Sequence, residues 1–209
     1  RHADPSLGHR KDAFNILYGT VPLYWVNRPF SYRWSDPQQR ARLLESYWVT
    51  CRLHEQIAFE QMTHHEFVTE DRQVQHTRFS NDTEVWVNFG REPWTLRRNG
   101  VEYVLPRHGF HVEGPGIRQY RILRKGRREC LVRTADSLYV KGNVPGLVSE
   151  TTGNAQALFL TKGGGVRVVS DPGTETVRLN WQRICPDAAD GDWLAFRLAS
   201  EGQPSANVP

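Results

Sequence analysis

The stretch Val74–Gly90, VQHTRFSNDTEVWVNFG, constrains the fold more than any other part of the chain. Val74, His76 and Arg78 alternate with Gln75, Thr77 and Phe79, and Ser80-Asn81-Asp82 supplies residues that tolerate turn dihedrals. The second arm places Val85, Val87 and Phe89 on one side and Glu84, Trp86 and Asn88 on the other. A period of two over this length predicts a pair of antiparallel strands with a buried face. The residues before it are helix-forming and aromatic, and those after it read as further strands. The boundary between the two is expected near Thr69–Gln73.

Downstream, Asn99-Gly100 between Trp94–Arg97 and Val101–Leu105 is the strongest short hairpin signal in the chain. Strands are expected at Phe110–Glu113, Ile117–Leu123, Glu129–Thr134, Ser137–Val140, Ala155–Leu160, Val166–Val169, Thr176–Trp181 and Trp193–Leu198. Turn residues recur between them, which describes a β-sandwich. Glu201–Pro209 reads as a frayed polar tail.

Upstream, Phe14, Ile16 and Leu17 form a short apolar run closed by Tyr18-Gly19 and Pro22, read as a buried parallel strand or an ordinary core strand. Asp36-Pro37 opens a long helix, with Asp36 as cap, Pro37 in the first turn and Gln39 three residues after the cap. Its main apolar stripe is expected to hold Leu44, Tyr47, Trp48, Cys51, Ala58, Phe59 and Met62. Val49, Leu53 and Ile57 lie off that stripe, so the helix is apolar on two sides and predicted to sit between two layers. Glu55 falls inside the stripe and is expected to pair with an arginine of a neighbouring layer.

Composition narrows the function. With 27 basic and 23 acidic residues, a net charge of +4 leaves nucleic acid possible without arguing for it. The basic run Arg118–Arg133 is divided between strand faces and reads as a solvated hairpin. Seven Trp and seven Tyr suit either sugar stacking or packed layers. Three distant cysteines, Cys51, Cys130 and Cys185, define no disulfide framework or zinc site. No apolar run reaches membrane-spanning length. The opening RHADPSLGHRKD has neither initiator Met nor signal peptide and reads as part of a longer polypeptide. His54-Glu55 and His64-His65-Glu66 invite a metal reading, but the spacing is not that of HExxH, and adjacent histidines on a helix diverge. The sequence therefore assigns no metal and no cofactor.

FNILYGTVPLYW, the long helix, HHEFVTEDRQVQHTRFSNDTEVWVNFG and VEYVLPRHGFHVEGPG together resemble the end of large multidomain glycoside hydrolases. The likeness is to endo-alpha-N-acetylgalactosaminidase-like and related bacterial glycosidases, in which a (β/α)8 barrel is followed by a β-sandwich. It covers Phe14–Gly116, about half the chain. The resemblance implies residues 1–70 as the last barrel strand and helix, 71–200 as a β-sandwich and 201–209 as a tail. The fold class is thus mainly β, an antiparallel sandwich behind an N-terminal helical segment. It implies Tyr18, Tyr24 and Trp25 as residues lining a sugar pocket, or else as rim packing. The implied partners are carbohydrate and an upstream barrel, and the implied setting is secreted or cell-envelope. The catalytic carboxylates would lie on earlier strands, so no residue here is assigned to catalysis and the chain alone is expected to be inert. The alternative is a carbohydrate-binding module using Trp86, Trp94 or Tyr103 as a platform.

Overall fold

The computed structural model describes residues 8–27, 32–135 and 137–142, together with the backbone of five later strands. The protein is mainly antiparallel β-sheet with two N-terminal helices, α1 (Gly8–Tyr18) and α2 (Pro37–Ile57). The chain forms two compact units, residues 1–128 and 129–209. Residue 70, the expected division, falls inside the first unit because the helices pack on the sheet that follows them.

The first unit holds β1 (Met62–Phe67), β2 (Val74–Phe79), β3 (Glu84–Asn88), β4 (Trp94–Arg98), β5 (Val101–Leu105), β6 (Phe110–Gly114) and β7 (Ile117–Arg124). The sheet order is β1-β2-β3-β6-β7, and the β4–β5 hairpin joins it where Val104 pairs with Leu123. The two turns read from the sequence are present. Asp82 has φ 63°, and Asn99 and Gly100 have φ 50° and 74°, as a tight hairpin turn requires.

The register divides the sheet into two faces. Thr77, Val85, Val112 and Gln119 lie opposite one another across β2, β3, β6 and β7. This face meets the helices. Thr77 Oγ1 donates to the Leu17 carbonyl at 2.9 Å, and Gln119 Nε2 donates to the Val49 carbonyl at 3.0 Å. His76, Trp86, His111 and Tyr120 form the opposite row. The β4–β5 hairpin lies over that row, with the Tyr103 ring 4.2 Å from His111. Both faces are therefore covered, where alternation alone predicted one.

The segment Phe14–Leu17 is helix, not strand. Ala13, Ile16 and Leu17 have helical spacing and are wholly buried. Gly19, at φ 62°, supplies the left-handed residue that ends α1, and Thr20 N–H donates back to the Asn15 carbonyl at 3.1 Å. A Cβ on Gly19 would come within 2.9 Å of Ile57, so the same glycine lets the two helices approach. The residues that looked like the end of a strand are a helix cap.

The start of α2 is as expected: Asp36 Oδ1 accepts from the Gln38 and Gln39 amides at 2.9 and 3.2 Å, and Pro37 takes the first helical position. Its large buried apolar residues include the three off the expected stripe as well as Trp48 from the stripe itself. Trp48, Val49, Leu53 and Ile57 are buried, whereas Tyr47 is exposed and Phe59, beyond the helix end, is fully so. Glu55 is not in a core. It is half-exposed and pairs with Arg52 on its own helix at 2.8 Å. The buried glutamate of α2 is Glu45.

In the second unit, β8 (Arg127–Thr134), β9 (Leu138–Lys141), β11 (Ala155–Leu160) and β12 (Val166–Ser170) pair successively antiparallel. A separate three-stranded sheet has the order β10 (Val148–Ser149), β13 (Thr176–Leu179), β14 (Leu194–Arg197). The expected tail at 201–209 lies outside the described residues, as does Cys185.

Candidate functional site

Of the three residues implied to line a sugar pocket, Tyr24 is committed elsewhere. Its hydroxyl lies 2.7 Å from Thr50 Oγ1 and 3.1 Å from Ser46 Oγ, and burial pushes its pKa above the ordinary tyrosine range. It ties the loop after α1 to α2. Tyr18 is half-exposed and donates to Gln75 Oε1 at 3.3 Å, with its ring 5.8 Å from His65. Trp25 is exposed, and its carbonyl accepts from the Tyr32 amide at 3.1 Å. Tyr18 thus belongs to the β1–β2 side and Tyr24 to α2, and the structure does not gather them on one wall. Trp86, beneath the hairpin, and Tyr103, on the hairpin itself, are two of the three alternative platform residues; both are buried and present no face to a sugar.

On the helix side, four charged groups meet in the interior. Arg121 Nη2 lies 2.7 Å from Glu45 Oε1 and 3.2 Å from Asp12 Oδ2. Arg42 Nη2 is 2.6 Å from Asp12 Oδ2, and Ser46 donates to Asp12 Oδ1 at 2.5 Å. The Arg121 guanidinium also sits over the Phe110 ring at 5.0 Å. Burial, with Arg121 beside it, lowers His9 to a pKa of about 4, so this histidine joins the cluster uncharged at neutral pH. Two carboxylates facing two guanidiniums fasten both helices to β7. They are paired with one another, although Arg42 Nη1 makes no hydrogen bond.

The opposite face carries a row of rings. His76 stacks on Trp86 with centroids 4.5 Å apart and planes 9° from parallel, and Trp86 is followed by His111 at 5.9 Å. Arg98 lies over the Trp86 ring at 4.7 Å and pairs with Glu84. His111 is enclosed, and burial beside Arg118 and Arg98 lowers its pKa to about 4. Neither of its ring nitrogens has a hydrogen-bond partner.

At the open end of that row, three side chains converge. His64, Glu66 and His76 each offer a ligand atom, and the three atoms lie within 4.8 Å of one another. Glu66 bridges the pair: Oε1 is 3.0 Å from His76 Nδ1 and Oε2 is 3.7 Å from His64 Nε2. The hydrogen bond from His76 holds the Glu66 carboxyl below its usual range. An open cleft of about 630 Å³, lined in part by His64, His76 and Glu84, adjoins them.

The sequence excluded a metal at His64-His65 because adjacent helical side chains diverge. The residues are on a strand, since the helix stops at Ile57. On β1, His64 and Glu66 share a face and His65 takes the other. The missing partner, His76, is supplied by the register, which sets Glu66 opposite it. Alternation along Met62–Phe67 is too brief to have shown this.

No family model, curated protein or solved structure matches the chain.

Proposed function

We propose that this chain is the non-catalytic β portion of a carbohydrate-cleaving enzyme, bracing a (β/α)8 barrel against the surface formed by the α1–α2 loop and the outer side of α2. The observation that supports this reading is a bare apolar flank. Among the described residues, nine of the twelve exposed large hydrophobics fall within Phe14–Phe59. Val21 is 71 % exposed, Trp25 52 % and Trp34 46 %. Apolar side chains clustered this way in sequence mark a surface for another body rather than for water. The two-sided apolarity of α2 has the same sense. Val49, Leu53 and Ile57 serve the sheet, while Tyr47 and Phe59 are left for a neighbour.

In this reading Trp25 and Trp34 are docking residues, and sugar chemistry belongs to the barrel. A polypeptide carrying the barrel should hydrolyse an aryl glycoside, and this chain alone should not. Trp25→Ser with Trp34→Ser should lower the melting temperature of the longer polypeptide and leave that of the isolated chain unchanged. Tryptophan quenching by iodide supplies the second measure: the two indoles should be accessible in the chain alone and shielded in the longer polypeptide. Equal accessibility in both would sink the docking surface, and glycosidase activity in the chain alone would sink its non-catalytic role.

A further inference from the structure

The His64–Glu66–His76 cluster is independent of the apolar flank, since it lies at the β1 edge on the face of the sheet away from the helices. Its members differ in burial. The side chains of His64 and Glu66 are half-exposed, whereas that of His76 is only 10 % exposed. A buried imidazole ordinarily has both nitrogens satisfied. Here Nδ1 meets Glu66, while Nε2 has no hydrogen bond, although Glu84 Oε1 is 3.4 Å away.

We propose that His64 Nε2, Glu66 and His76 Nδ1 bind a divalent transition cation of the zinc class, with Glu84 orienting His76 from behind. Two imidazoles and one carboxylate are a donor set that such ions accept, leaving further positions for water. The exposure of His64 and Glu66 keeps the ion accessible to solvent. In a tetrahedral zinc site, ligand atoms stand about 3.3 Å apart, given metal–ligand distances of about 2.0–2.1 Å. The three atoms lie within 4.8 Å of one another, so an ion must draw them closer, and the half-exposed His64 and Glu66 side chains are the ones with room to turn.

The unpartnered nitrogen then has a role. Without metal, His76 carries its proton on Nδ1 and donates to Glu66. With metal, the Nδ1 lone pair faces the ion and the proton resides on Nε2, directed at the Glu84 carboxylate. A carboxylate that accepts from the far nitrogen of a ligating histidine fixes its tautomer and raises its basicity. Glu84 is held in turn by Arg98, and Trp86 holds the plane of the His76 ring by stacking. The shell around the buried ligand is thus built before any ion arrives, and the ion would join edge strand β1 to β2.

The test uses the full chain after chelator treatment, titrated with Zn²⁺ by calorimetry and with Co²⁺ by visible absorption. One equivalent should bind, and the cobalt complex should show the intensified ligand-field bands of a low-coordinate nitrogen–oxygen site. His64→Ala changes an exposed residue and should preserve the circular dichroism spectrum, yet weaken Zn²⁺ binding by about tenfold or more. Glu84→Gln, which removes only the outer carboxylate, should weaken binding about 10- to 100-fold. His65→Ala, on the opposite face, should bind as the parent does. Hydrogen exchange across Met62–Phe67 should slow when Zn²⁺ is added. The assignment is overturned by the absence of saturable one-to-one binding, by unchanged affinity in His64→Ala, or by an equal loss in His65→Ala.

Discussion

On the helix side of the first unit's sheet, two buried carboxylates meet two guanidiniums; on the hairpin side, three buried ring nitrogens of His76 and His111 make no hydrogen bond. Both faces hold ionisable residues away from water. The first pairs opposite signs, which also fastens α1 and α2 to β7. The second keeps His111 neutral by enclosure, and its rings pack on one another. Charge matching makes a joint between helix and sheet, whereas the row of rings leaves an imidazole, at its exposed end, open to a cation.

The largest break in this contrast should come from Arg121→Ala. It leaves Asp12 and Glu45 with Arg42 as the remaining guanidinium, and loss of one partner from a buried ion pair costs about 3–5 kcal/mol. Urea unfolding would measure it, and a loss below about 1 kcal/mol would mean that water reaches the cluster and shields it.

On the hairpin side acid should act through His111. His111 is held near pKa 4 in the folded chain and returns to its ordinary value when unfolded, so the unfolded state takes up the proton first as pH falls. The stability from keeping this ring neutral is complete above pH 6.5 and is lost as the pH falls toward 4. For a group this enclosed the loss is on the order of 3 kcal/mol. His9 and His108, each also lowered to about 4 chiefly by burial, add losses in the same window. His111→Phe keeps the ring and removes the titration, so its stability should fall less steeply than the parent's between those limits. Parallel curves for the two proteins would show that the site takes up its proton without unfolding.

The smallest effects sharpen the comparison at single hydrogen bonds. Thr77→Val deprives the Leu17 carbonyl of its buried donor and should cost about 1 kcal/mol. On the opposite face, metal-free His64→Ala should change stability by no more than about 0.5 kcal/mol, because the residue is exposed. Thermal melts in chelator would rank the two, and a reversed order would mean that β1 depends on His64 even without an ion.

What the sequence showed plainly was local. The Asp36 cap, the Ser80–Asp82 turn and the Asn99-Gly100 hairpin each depend on a few adjacent residues whose preferences are strong, and all three are present. Phe14–Leu17 was misread because a brief apolar run fits a buried strand as well as a helix, and Gly19 closes either one. The depth of each α2 residue was hidden for a related reason: both sides are apolar, and periodicity does not say which side has a partner. Glu45 gave no signal because its partners, Arg121 among them, are far away in sequence. The histidine cluster was hidden because it depends on the register between β1 and β2, and a shift of one residue would have turned Glu66 away from His76.

Strand β1 is the outermost strand of the first unit's sheet, and five of its six residues are exposed. A free border of this kind is where separate copies of a chain can zip together into fibrils. Thr-His-His-Glu along that border opposes such growth, since ionisable side chains make a stacked copy costly. Replacing His64 and Glu66 with valine would remove that guard, and with it the carboxylate that His76 meets, turning the margin of a folded domain into a seed for aggregation.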